Sequence, residues 1–255
     1  MKVFAIALNT SREAIRNKVL YSILLFAFIV TGISAAFGWA SIGDPIKFVK
    51  DFSFFSISLF GVITTVVLGV NLLSKELGKR TIYNILSKPV ARWQFIVGKF
   101  LGLLSTLATM MALMAGALLV LLYLIEGRMD WQVLPVVAVM MLELAILAAA
   151  AIFFSSIVVT PALAGLFTAA TFIAGRSTPA LTYFISPEHP PALRHLARLF
   201  YVVLPHLNQF YIADRLAYGM QLPPLYYLHA LIYAAAYTGL LLIAGTAIFQ
   251  RREFA

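Results

Sequence analysis

The chain has 255 residues, of which 62% are hydrophobic and only 11% charged, with a formal net charge of +9. Soluble domains run near half apolar and a quarter charged, so composition excludes an ordinary water-soluble domain and leaves lipid as the solvent. The absence of cysteine excludes a disulfide framework, a thiolate metal site and a cysteine nucleophile, while the basic balance reads as positive cytoplasmic loops with no nucleic-acid partner.

Residues 1–18 set Phe4, Leu8 and Ile15 near one helical face, with Asn9, Arg12, Glu13 and Arg16 largely elsewhere. That pattern predicts an amphipathic helix in the cytoplasmic interface, its cations near anionic headgroups. Val19–Phe37 follows, free of charge. Signal-peptide cores run only about 7–15 residues, so this run reads as a retained first span despite the small residues Ser34, Ala35 and Ala36. Spans two and three are Phe52–Leu73 and about Phe100–Ile125.

From Trp131 to Gly175 the only charge is Glu143. As one helix this stretch would extend about 67 Å, roughly twice a bilayer core, so it must fold back. Ser155, Ser156, Thr160 and Pro161 are the expected turn, giving spans four (Leu134–Phe154) and five (Pro161–Gly175). Residues 176–225 are too long for a connector. Within them Leu199–Ala213 is charge-free but too short to cross, and Pro205 interrupts it, which predicts short helices at the outer surface. Tyr226–Phe249 is the sixth span. The expected fold is all-α: one polytopic domain over residues 1–255, with six transmembrane helices.

Six spans put both termini on one side, and Lys and Arg choose it. Lys2, Arg12, Arg16 and Lys18 precede span one. Lys75, Lys79, Arg80, Lys88, Arg92 and Lys99 follow span two, and Arg251 and Arg252 end the chain. The opposite short loops hold only Lys47, Lys50 and Arg128. Both termini are therefore expected in the cytoplasm, in a plasma or inner membrane.

The loop after span two is the most informative segment. Residues 74–88 are polar and charged through Arg80, then offer Ile82, Ile85 and Leu86 before Pro89 stops a helix. A short helix with an apolar edge and cationic surround, held beneath the membrane, can dock into a partner's groove. Connectors in helix bundles are typically 2–8 residues, and this one is much longer.

The run Glu76, Lys79-Arg80-Thr81, Leu86-Ser87-Lys88-Pro89, Arg92 and Gly98-Lys99 resembles the signature of type-2 ABC transporter permeases. It is most similar to the branch associated with maturation of multi-copper enzymes such as nitrous-oxide reductase. The resemblance covers nearly the whole chain, and Leu204–Phe210 (LPHLNQF) resembles a recurrent family phrase. It implies an N-terminal elbow helix, a coupling helix at 74–88 and short external helices before the last span. It also implies a homodimer of permeases bound to two copies of an ATPase subunit, which would hold ATP and Mg and drive export. The coupling contacts would be Glu76, Lys79, Arg80, Thr81, Ile82, Tyr83 and Leu86. A second cytoplasmic contact would come from Ser155, Ser156 and Thr160. The chain itself has no G-x-x-x-x-G-K-[ST] loop, since Gly78-Lys79 is followed by Arg80. No cofactor is expected in it.

Glu143 is the other functional candidate, because a carboxylate in mid-span is costly unless protonated, paired or wet. It either lines a path or binds a cationic group, or it is a protonated carboxyl bonding a neighbouring helix. Asn71 reads as a packing hydrogen bond. His189, His195, His206 and His229 match no compact ligand spacing. Met110, Met111, Met114, Met140 and Met141 read as core filling, and no metal is expected. Gly98, Gly102, Ala112 and Gly116 read as close helix contacts. Two further function classes stay open: an ATPase-driven membrane anchor or mechanotransmitter that carries no cargo, and an intramembrane enzyme using Ser177 with His195 or His206. No catalytic residue is assigned, and nothing in the chain names a cargo.

Overall fold

The computed structural model describes residues 2–40, 44–78, 91–158, 160–213 and 222–251, and every regular element among them is helical. In chain order these are α1 (Lys2–Ile15), α2 (Lys18–Ala40), α3 (Pro45–Gly78), α4 (Arg92–Glu126), α5 (Val133–Ile157), α6 (Pro161–Arg176), α7 (Thr178–Phe184), α8 (Pro191–Val203), a 3-10 turn (Leu207–Phe210) and α9 (Pro224–Arg251). Five of them hold stretches long and apolar enough to cross a membrane: Lys18–Gly38, Pro45–Leu72, Arg92–Glu126, Val133–Ile157 and Pro224–Gln250. Each of these five helices contains one predicted span and runs past it at both ends. The stretch expected to be span five is the 16-residue α6, about 24 Å long against a hydrocarbon core of about 30 Å. The chain is a multi-pass membrane protein with five such helices among the described residues.

Proline and glycine set several of the ends. Pro45, Pro161, Pro191 and Pro224 each open a helix, where the missing N–H would have had no partner anyway. Gly127 closes α4 in the left-handed region (φ 72°), its N–H bonding the Tyr123 carbonyl at 2.9 Å.

α5 is the axis of the bundle. It packs against α3, α4, α6, α9 and the 3-10 turn, which is why its sequence is apolar on every side. Met140, Leu144, Leu147 and Ala148 to Ile152 are all buried. Small residues on α3 let the backbones close up: a Cβ at Gly61 would stand 2.9 Å from Leu144, and one at Gly69 2.8 Å from Ala151. Met110, Met111, Met114 and Met140 fill the same core.

α1 lies along α4. Its inner stripe is Val3, Ile6, Ala7, Thr10 and Ala14, and the opposing glycines make the fit. A Cβ at Gly98 would come within 2.8 Å of Ile6, and one at Gly102 within 2.5 Å of Thr10 and 2.6 Å of the Ala7 carbonyl. Gly116 meets nothing within 4 Å, so the small residues serve close contact at only part of the predicted set. Phe4, Leu8 and Ile15, the apolar edge read from the sequence, are exposed on the side away from α4.

Both ends of the bundle are tied. At the α4 N-terminus, Arg92 Nη1 donates to the carbonyls of Phe249 and Gln250 at 3.0 and 2.8 Å, a cation on the C-terminal end of α9. At the other end of α9, Tyr226, Tyr233 and Tyr237 share a stripe that holds the irregular segment. Tyr237 donates to the Val203 carbonyl at 2.6 Å, Tyr233 accepts from the His206 N–H at 2.9 Å, and Tyr226 donates to the Gln209 carbonyl.

Candidate functional site

Glu143 sits on α5 with a side chain only 1% exposed, and it is paired. Arg176, the last residue of α6, donates from Nε to Oε1 and from Nη2 to Oε2, both at 2.8 Å. This is the bidentate fork that suits arginine rather than lysine. The same Nη2 donates to the Ser58 hydroxyl of α3 at 2.9 Å. The guanidinium lies 4.5 Å from the Tyr211 ring centre and 5.1 Å from that of Phe172, so its faces are covered by π systems. One ion pair thus joins α3, α5, α6 and the strand of chain leaving the 3-10 turn.

Helix lengths explain why these two residues meet. Counted from the α5–α6 turn, Glu143 lies about 21 Å back along α5 and Arg176 about 22 Å along α6. α6 ends level with Glu143, where its cation also suits the negative end of the helix. The chain then turns sharply. A Cβ at Gly175 would stand 2.7 Å from the Pro205 carbonyl oxygen and 2.8 Å from Leu207, so glycine is what allows the returning segment to close over this end. Thr178 donates to the Gly175 carbonyl at 3.0 Å, satisfying a group that the helix leaves open.

Glu143 stands out in the sequence as a lone charge in an apolar run, whereas its partners do not. Arg176 was expected to begin the external segment; instead it pairs with the carboxylate inside the bundle. The available signal was charge arithmetic, since Arg176 is the first charge after Glu143 and stands at the end of an apolar run too short to cross. Ser58, Phe172 and Tyr211 carried no such signal.

The other predicted residues divide. Glu76 falls in the last turns of α3, but its side chain lies outside the described residues, as do Lys79, Arg80, Thr81, Ile82, Tyr83 and Leu86. α3 itself is continuous about 9 Å beyond Leu72, where its apolar stretch ends. Ser155 and Ser156 are buried and donate to the carbonyls of Ala151 (2.7 Å) and Phe153 (2.6 Å) of their own helix. Only Thr160 of that trio is exposed. Asn71 bonds Val67 of its own helix rather than a neighbour. Ser177 is exposed at the α6–α7 junction, and His206 Nδ1 lies 3.3 Å from the Tyr233 hydroxyl.

A second charged cluster closes the opposite end of α3. Lys50 Nζ is 2.6 Å from the Asp130 carboxylate and 3.7 Å from Glu126, which also accepts from Arg128 Nε at 2.8 Å. Partial burial alone would raise the Asp130 carboxyl. The hydrogen bond from Lys50, the Gln132 N–H and the positive charges of Lys50 and Arg128 outweigh it and hold the group below its ordinary value.

The family model described as "ABC-2 family transporter protein" matches residues 4–254. The chain belongs to this family. Membership makes it a transporter membrane subunit, in agreement with its apolar helices. No curated protein matches it.

Proposed function

We propose that this ABC-2 protein is the permease subunit of an ATP-driven exporter, with six crossings once α6 and the segment after it are counted together. It works as a homodimer in the plasma or inner membrane, both termini in the cytoplasm, with two copies of a separate ATPase subunit that bind ATP and Mg. Residues 74–88 form the coupling element gripped by that subunit, through Glu76, Lys79, Arg80, Thr81, Ile82, Tyr83 and Leu86. Thr160 adds a smaller contact. The maturation-type branch is the proposed placement within the family; the cargo is left open.

The observation that carries this reading is the unbroken course of α3. Ser58, bonded to the Glu143–Arg176 pair, and Glu76, at the coupling end, are on one helix and about 27 Å apart along its axis. A rigid rod of that length transmits a push at one end to the ion pair at the other. Glu143 then holds α5 and α6 together in the arrangement described, and reaches a transport path only when the pair parts.

The test is co-purification with the ATPase subunit and ATP-driven transport in Glu76→Ala and Arg80→Ala. Loss of assembly or coupling is expected; normal assembly and transport in both would refute the coupling assignment.

A further inference from the structure

Where α1 turns into α2, the corner meets the far end of α3 and leaves a cavity of about 520 Å³. That volume falls within the range of roughly 300–1,000 Å³ typical of small-molecule sites. Its floor is apolar, formed by Ala14, Leu68 and Leu72, and its rim carries Arg16, Lys18 and the amides of Asn17 and Asn71. Glu13 also lines it and has a contact of its own, so among the described residues the charges of the rim sum to one net positive charge.

Arg16 and Lys18 are exposed and make no ion pair among the described residues. Two cations without a carboxylate partner among the described residues, set over an apolar floor, form an amphipathic receptacle. Asn17 holds the corner open by accepting from the Val19 N–H at 3.0 Å, which starts α2 immediately behind Lys18. The next exposed residues along α2 are Val19, Tyr21, Ser22 and Leu25, three of them apolar or aromatic. An acyl chain running down that surface would leave its headgroup at the rim.

We infer that this corner is a binding site for the phosphate of an anionic phospholipid, with Arg16 and Lys18 on the phosphate and Leu68 and Leu72 against the glycerol and upper acyl carbons. The leaflet is the cytoplasmic one, which rests on the orientation given under Proposed function; the binding itself does not depend on the ATPase subunit. The site ties the elbow between α1 and α2 to the same helix that carries the coupling end. Occupancy by lipid would therefore stiffen α3 where it leaves the membrane.

The experiment uses the full chain in mixed micelles containing phosphatidylcholine and phosphatidylglycerol, with retained lipid counted by native mass spectrometry. Charge near a membrane surface predicts that Arg16→Gln or Lys18→Gln lowers phosphatidylglycerol retention about fivefold, and the pair about thirtyfold. Arg194→Gln, on α8 at the other end of the molecule, should leave retention unchanged. Asn71→Leu, which fills the rim without changing charge, should also lower it, and helix content by circular dichroism verifies that each variant is folded. Equal retention by the double variant overturns the inference. So does displacement of the lipid by glycerol 3-phosphate or inorganic phosphate at concentrations similar to the lipid's, because the site would then be one for a free anion. Unchanged lipid retention together with lost ATPase association would reassign Arg16 and Lys18 to a protein contact.

Discussion

At the scale of single residues, Glu143 and Arg176 are interdependent. Removing one partner of a buried ion pair strands a charge and costs about 3–5 kcal/mol, whereas replacing both with apolar groups of similar size is often near neutral. Glu143→Leu and Arg176→Met are each expected to lower unfolding stability in detergent by that amount, and the double substitution by much less. A double-mutant cycle on chemical unfolding measures this; additive losses would mean the two side chains do not act together. Transport should suffer in Glu143→Leu beyond its loss of stability if parting of the pair belongs to the cycle. The carboxylate was legible from sequence because a lone charge in an apolar run is conspicuous. Its arginine was not, because the run's end was read as the membrane surface, and only the shortness of α6 shows that the end comes earlier.

At the scale of elements, α1 and α4 form the tightest test of packing. Gly102→Ala places a Cβ against Thr10 and the Ala7 carbonyl, both part of a facing helix, and overpacking of this kind costs about 1–3 kcal/mol. Gly116→Ala, with open space around it, should be neutral or slightly stabilising. Thermal unfolding of the two variants separates these outcomes, and equal behaviour would contradict the close approach. That α1 is helical was readable from its periodicity. Which side meets the protein was not, because the small residues Ala7, Thr10 and Ala14 bury against glycines while the larger Phe4 and Leu8 face outward.

The clasp at the opposite end of α3 carries its own pH signature. Because Asp130 titrates below its ordinary value of 3.8 in the folded protein, its pairing with Lys50 contributes stability that is complete above that pH and lost as pH falls through the lower, folded value. Asp130→Asn is expected to cost less than about 1 kcal/mol at neutral pH, since the pair is partly solvated and screened by salt. The difference from the unsubstituted protein should shrink only below pH 3.8. A gap that closes between pH 7 and 5 would place the relevant titration elsewhere.

For the molecule as a whole, the five long helices were legible because each contains an apolar run of spanning length, charge-free in four of them and interrupted only by Glu143 in α5. The segment between α6 and α9 was legible as irregular but not as a cap closing over Gly175, since close backbone approach leaves no pattern beyond one glycine. The lack of cysteine makes topology directly testable. Single cysteines at Arg128 and His195 should react with a membrane-impermeant maleimide in intact cells, and one at Thr160 only after permeabilisation. Labelling of Thr160→Cys from outside would invert the proposed orientation.

The shortness of α6 also bears on how the protein is made. Sixteen residues ending in an arginine are a weak integration signal for the translocon, where a mid-membrane charge costs about 2.5–3.5 kcal/mol. α5 brings the compensating carboxylate, so the two helices are expected to enter the bilayer as one hairpin, with α6 retained only after α5 has emerged. Glycosylation reporters fused after α6 alone and after α5–α6 would compare the two, and efficient insertion of α6 by itself would show that biogenesis does not require the pair.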